Sequence, residues 1–201
     1  MKQSPKIAGI ILSGGASRRM GMPKALLDYQ GETFLDRMIR LFQHVCDPVV
    51  VVLGKHADPI RAGIQRGDQA VFTVNPDPDR GMLSSLQCAL AEISSTVDAV
   101  MFTPVDHPNL NHATLQVLVD TFALHKPKVV VPTYAGDHGH PVCISRELIA
   151  ELQALPPTAQ AADIIHRYVP ETVYVPVEDA AVAKDIDDPA SYAELIGRQS
   201  V

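Results

Sequence analysis

Arg18, Arg19 and Lys24 fall within seven residues, on a stretch reading LSGGASRRMGMPKALL from Leu12 to Leu27 that holds no acidic residue. The chain as a whole carries a formal net charge of -6. Three cations gathered beside Gly14 and Gly15 in an acidic chain point to an anionic ligand. Phosphate is the anion that glycine-rich loops hold, because their backbone can approach it closely. The spacing fits neither of two familiar glycine motifs. The dinucleotide fingerprint needs G-x-G-x-x-G, whereas Gly14-Gly15 is followed by Ala-Ser-Arg-Arg-Met-Gly21. A P-loop needs a Ser or Thr after its lysine to hold magnesium, and Lys24 is followed by Ala25.

Without that hydroxyl, a metal-bound nucleotide needs carboxylates from elsewhere in the chain. Thr103-Pro-Val-Asp106-His-Pro108 offers one just past an apolar run, stiffened by its prolines. Asp106 could instead cap the next helix, but Asn111 is better placed for that. Asp185 and Asp187 flank Ile186, so in an extended segment both carboxylates project to one side while Ile186 enters the core. A solvated acidic turn before Pro189 is the alternative for that pair.

These residues need a scaffold, and the apolar pattern supplies one. Ile7–Leu12, Pro48–Leu53, Ala70–Val74, Val97–Thr103, Val129–Val131, Pro141–Ile144 and Thr172–Val175 read as strands. Between them, Phe34, Met38, Leu41, Phe42 and Val45 fall on one helical face, opened by a capping box of Thr33 and Asp36. Leu83, Leu86, Leu90 and Ile93 do the same, with a box of Ser84 and Gln87. Asn111 caps a helix to about Leu124, short helices run to about His166, and a last helix closes the chain. Buried strands alternating with helices predict a three-layer α/β sandwich, Rossmann-like, with a mostly parallel sheet, in one domain over 1–201. Ligands in such sheets sit at the carboxyl ends of strands, where the first loop, Asn75–Met82 and Pro104–Pro108 all converge.

The ordered set Leu12-Ser-Gly-Gly-Ala-Ser-Arg-Arg-Met-Gly21, Pro23-Lys24, Gly81-Met-Leu-Ser-Ser-Leu86, Pro104-Val-Asp-His-Pro108, Gly139-His-Pro-Val142 and Asp185-Ile-Asp187 resembles the MobA-like nucleotidyltransferases. Within them it is similar to the molybdenum cofactor cytidylyl- and guanylyltransferases. The resemblance implies a glycosyltransferase-A-like sandwich with mixed strand direction near its end. It implies transfer of a nucleotidyl group from GTP or CTP to a phosphorylated acceptor such as molybdopterin, with a molybdoenzyme as a downstream partner. Mg2+ would sit at Asp106, with Asp187 or Asp185 beside it. Arg19 and Lys24 would neutralise the triphosphate, with Arg18 their solvent-facing neighbour. Leu12, Ser13, Gly14 and Gly15 would line the nucleotide, and Gly81, Ser84 and Ser85 would touch its base or ribose. Asp188 departs from relatives that often have threonine there. Gly14 stands where relatives using CTP read alanine, which favours GTP, although the Gly81 and Gly139 stretches look more like the cytidylyl branch. His138-Gly-His140-Pro resembles a family turn, with a structural or acceptor-contact role rather than a metal site.

A sugar- or polyol-phosphate nucleotidyltransferase would need the same phosphate-binding residues. So would a nucleotide-binding module without turnover, although binding alone does not call for several metal carboxylates. Lys24, as a loop residue, is expected to matter little to stability. The acidic balance and the absence of a basic stripe beyond the first loop exclude a nucleic-acid partner. No apolar run approaches the ~20 residues of a membrane span. Ile7–Leu12 is too short for a signal sequence. Cys46, Cys88 and Cys143 have neither disulfide nor zinc spacing, and point to a reducing cytoplasm.

Overall fold

A computed structural model of the chain describes residues 4–156 and 158–197. Its strands are β1 (Ile7–Ser13), β2 (Asp28–Tyr29), β3 (Glu32–Thr33), β4 (Val49–Leu53), β5 (Val71–Val74), β6 (Ala99–Pro104), β7 (Val129–Tyr134), β8 (Asp137–His138), β9 (Val142–Ser145) and β10 (Thr172–Pro176). Its helices are α1 (Phe34–Gln43), α2 (Ala57–Gly63), α3 (Met82–Ala91), α4 (His112–His125), α5 (Ile149–Ala154), α6 (Ala161–Arg167) and α7 (Pro189–Gly197). The main sheet runs β10-β7-β9-β6-β1-β4-β5, with β8 paired to β7. β1 is parallel to both β4 and β6, and β4 is parallel to β5. β9 lies antiparallel between β6 and β7, which is the mixed direction expected near the end of the chain.

Strands buried on both faces explain the continuous apolar runs. Along β1, Ile7 and Ile11 face α1, α4 and α7, while Ala8, Ile10 and Leu12 face α3, α5 and α6. β4 alternates in the same way, with Val49, Val51 and Leu53 on the first face and Val50 and Val52 on the second. The result is the predicted three-layer sandwich. Cys143 lies wholly inside it, and burial pushes its thiol up to about 12, as befits a core residue. Among the described residues, no helix is long and apolar enough to cross a membrane.

Of the three helix starts read from the sequence, two carry the expected cap and one does not. Thr33 caps α1, its Oγ1 accepting from the Asp36 amide at 3.0 Å. Asn111 caps α4, its Oδ1 accepting from the Thr114 amide at 2.8 Å. The Ser84–Gln87 box does not form. Gly81, at φ 92, turns the chain sharply, so α3 starts at Met82 and Ser84 already lies in its first turn. Gln87 instead donates to the Leu152 carbonyl at 3.0 Å and the Leu155 carbonyl at 3.1 Å, tying α3 to the end of α5. Helix α2, with Pro59 and Gly63 in seven residues, offered too little periodicity to be predicted.

Candidate nucleotide site

The carboxyl ends of β1, β5 and β6 share one edge of the sheet, and a cleft of about 420 Å³ opens there. The loop after β1 forms its floor. Ser17, at φ 48, folds the loop back so that its Oγ accepts from the Lys24 amide at 3.1 Å. Gly54, just past β4, lies directly beneath: a Cβ there would come within 2.3 Å of the Gly14 carbonyl. A Cβ on Gly14 would in turn meet Ser85 Oγ at 2.8 Å. Gly54 is therefore required by close approach of the backbone and Gly14 by the Ser85 side chain packed against it, neither by φ.

Asn75, buried at the end of β5, organises the opposite wall. Its Nδ2 donates to Ser84 Oγ at 2.8 Å and to Ser85 Oγ at 3.0 Å, while its Oδ1 accepts from the Asp77 amide at 2.9 Å. Ser85 reaches the cleft, as do Leu12, Ser13, Gly14, Gly15, Arg19, Lys24, Gly81, Asp106 and Asp187. Ser84 does not line it. Its hydroxyl donates to the Gly81 carbonyl at 2.8 Å and accepts from Asn75 Nδ2, within the wall and away from the base or ribose contact expected of it. Asn75 was missed as an individual residue. The only signal for it was a polar side chain directly after a strand whose end reaches the site.

The carboxylates meet as their spacing implied. Ile186 is buried, and its amide donates to the Asp106 carbonyl at 2.9 Å, which pins the final segment to the loop after β6. Asp106, Asp185 and Asp187 each bring an oxygen to within 4.8 Å of the others. Asp185 is exposed and stands outside the cleft lining. Asp106 does not cap α4. Its Oδ1 is buried with no hydrogen-bond partner, and His107 Nε2 lies 3.9 Å away. An orphaned carboxylate oxygen beside other carboxylates is a donor set suited to a hard divalent cation.

Lys24 Nζ reaches into this cluster, donating to Asp106 Oδ2 at 2.8 Å and to Asp187 Oδ1 at 2.5 Å. Its side chain is only 12% exposed. Burial alone would lower its pKa, but the two carboxylates outweigh that and hold it above the usual lysine value. The same hydrogen bond from Lys24, aided by Arg19 and opposed by burial, holds the Asp187 carboxyl below the usual range. Arg19 pairs with the other Asp187 oxygen while remaining 67% exposed. Arg18 and Arg19 thus both face solvent at the cleft rim, and only the ion pair separates their roles. Lys24 is thus no free loop side chain: it bridges two carboxylates that would otherwise repel.

Asp188 accepts from the Ser191 amide at 2.8 Å and so caps α7, with Pro189 at the first helical position. Aspartate and threonine are both capping residues, which accounts for the departure at this position.

Two histidines beside the site pack against each other. His107 Nδ1 donates to the Ala181 carbonyl at 2.9 Å, and its ring lies 5.3 Å from that of His140. Burial first, and then proximity to His107, pushes the His140 pKa down to about 4. The unfolded chain therefore binds a proton between about pH 6.5 and 4 that the folded chain refuses. Stability from this group is full above pH 6.5 and falls by roughly 3 kcal/mol at about pH 4. Urea unfolding should show that acid-side loss in the wild type and a flatter profile in His140→Phe. Equal slopes in both proteins would contradict it.

Such a site, with a cationic glycine loop facing carboxylates across strand ends, is that of a nucleotidyltransferase. The chain belongs to the MobA-like NTP transferase domain family, whose model matches residues 9–173. It is 24% identical over 183 residues to the molybdenum cofactor cytidylyltransferase of Escherichia coli (strain K12), covering 91% of this chain and 92% of that one. It is 33% identical over 129 residues to a probable molybdenum cofactor guanylyltransferase of Rhodopirellula baltica, covering 63% of this chain and 61% of the relative. The crystal structure of Rv0371c from Mycobacterium tuberculosis H37Rv superposes with a TM-score of 0.85 at 28% identity, covering 97% of this chain and 99% of that one. The same mycobacterial protein has also been solved in complex with manganese.

Proposed function

We propose that this chain transfers a nucleoside monophosphate from GTP or CTP to a phosphorylated acceptor of the molybdopterin type, releasing pyrophosphate. The observation that carries the reading is the convergence of Lys24, Asp106 and Asp187 on one point of a cleft floored by the glycine loop. The cytidylyl- and guanylyltransferase names of the relatives support the acceptor class, and a sugar or polyol phosphate is the competing acceptor.

An acceptor phosphate oxygen attacks the α-phosphorus, the bond to the bridging oxygen breaks, and its electron pair leaves with pyrophosphate. The acceptor is already an anion, so no protein nucleophile or strong base is needed. Catalysis then rests on position and charge. The Gly14–Gly15 backbone admits the phosphates, Lys24 and Arg19 neutralise the triphosphate and leaving group, and Ser85 and Gly81 border the nucleoside. Asp106 and Asp187, with Asp185 nearby, would hold Mg2+, which when bound supplies further neutralisation across the phosphates. The manganese complex of the mycobacterial relative supports the use of a divalent ion. A cytoplasmic location, and a molybdoenzyme as recipient of the product, follow from the same reading.

Base preference turns on Gly14. A Cβ at Gly14 would press on Ser85 Oγ, which lines the cleft, so its absence lets Ser85 sit back against the loop and leaves the cleft to a purine, which favours GTP. Comparing kcat/KM for GTP and CTP with one acceptor should show the higher value for GTP. Gly14→Ala should cost GTP roughly 10–100-fold, the scale of 1–3 kcal/mol of overpacking, and CTP less. A clear wild-type preference for CTP, or an equal loss for both triphosphates, would remove Gly14 as the determinant.

A further inference from the structure

Lys24 Nζ stands 2.8 Å from Asp106 Oδ2 and 2.5 Å from Asp187 Oδ1, against the carboxylates that would hold a divalent ion. Mg2+ binds oxygen at about 2.0–2.1 Å, so an ion on Asp187 Oδ1 would lie within about 4.6 Å of that ammonium. At that separation a dication and an ammonium repel by well over thermal energy, even with water-like screening. The two cations therefore compete for the same oxygens. Arg19 is different, because it takes the other oxygen of Asp187 from the exposed side. Arg18 lies on the rim with neither contact.

We propose that Lys24 is a resident cation that occupies the carboxylate cluster until a triphosphate draws it away, so that divalent ion and nucleotide bind as a coupled pair. The triphosphate lies in the same cleft and offers the ammonium a new anionic partner. As Lys24 turns to the phosphates, Asp106 Oδ2 and Asp187 Oδ1 are released together. The Asp106 Oδ1 atom, buried and without a partner, then gains one from the incoming ion. Thermodynamic linkage requires the effect to be mutual: the ion favours the nucleotide by the factor with which the nucleotide favours the ion. The device keeps the cluster from binding divalent ions unproductively. It rests on the reading of this cleft as a metal-dependent nucleotidyltransferase site.

The test is Mn2+ alone, titrated into the nucleotide-free full chain and followed by the electron paramagnetic resonance signal of free Mn2+. Lys24→Met should bind Mn2+ at least about 10-fold more tightly than the wild type, within the usual range of coupling between sites. Arg18→Met removes the same charge from the rim and should change affinity by less than about 3-fold. Lys24→Gln provides a second variant should Lys24→Met lose its circular dichroism spectrum. Unchanged or weaker Mn2+ binding in the folded Lys24 variants would overturn the proposal, as would an equal gain in Arg18→Met, which would mark a general field effect. Absence of Mn2+ binding in every protein would overturn it too. Pyrophosphate release by the wild type tests the underlying reading separately, and can succeed while Lys24→Met leaves Mn2+ affinity unmoved.

Discussion

Lys24→Ala should slow nucleotidyl transfer by roughly 10²–10³-fold, the loss expected when one preorganised charge is taken from a developing transition state. Neither of the other two described cations of the cleft is buried between the carboxylates as Lys24 is. Arg19 is largely exposed and committed to the outer oxygen of Asp187, and Arg18 sits on the rim. The effect should fall on kcat more than on KM for the triphosphate, because charge moves onto the leaving pyrophosphate only as the bond breaks. Stability should fall as well, by about 1–2 kcal/mol, since Asp106 and Asp187 lose the ammonium that separates them. Steady-state kinetics with a thermal unfolding control checks both parts. Turnover within a few-fold of the wild type would remove Lys24 from the chemistry.

Asp106→Asn should reduce turnover by at least about 10²-fold and raise the Mg2+ concentration needed for half-maximal rate. Loss of a mere outer partner of a metal ligand already costs 10–100-fold, and an amide is a poorer magnesium ligand than a carboxylate. Asp187→Ala should behave similarly, because it shares Lys24 with Asp106. Asp185→Ala should do less, because Asp185 is exposed and outside the cleft lining. A magnesium-bound structure with the ion beyond coordination distance of Asp106 would refute this ordering, as would an Asp185 variant more damaged than the Asp106 variant.

The sheet was legible because runs such as Pro48–Leu53 can be buried only between two helical layers, and their order places three loops at one edge. The alternation around Ile186 likewise foretold a buried isoleucine between paired carboxylates. What escaped were relations that exist only across space. Nothing local distinguishes Ser84 from Ser85, and the Asn75 amide reaches both, yet the Gly81 carbonyl takes the hydroxyl of the first while the second lines the cleft. Gly54 looks like an ordinary strand-end glycine until the Gly14 carbonyl is placed against it. Lys24 looks like a surface loop residue until an ion-pair partner 163 positions away is brought to it. Side-chain periodicity reports burial, and it carries no information about which polar groups at strand ends will meet.

Incubating the wild-type protein with Mg2+, GTP or CTP and molybdopterin, and measuring pyrophosphate together with the mass of the product, tests whether this cleft performs nucleotidyl transfer to a molybdopterin-type acceptor. The expected result is pyrophosphate formed one-for-one with the molybdopterin dinucleotide, dependent on the divalent ion, and faster with GTP. Pyrophosphate released only with a sugar or polyol phosphate would contradict the acceptor, and triphosphate bound with no pyrophosphate from any acceptor would contradict transfer itself.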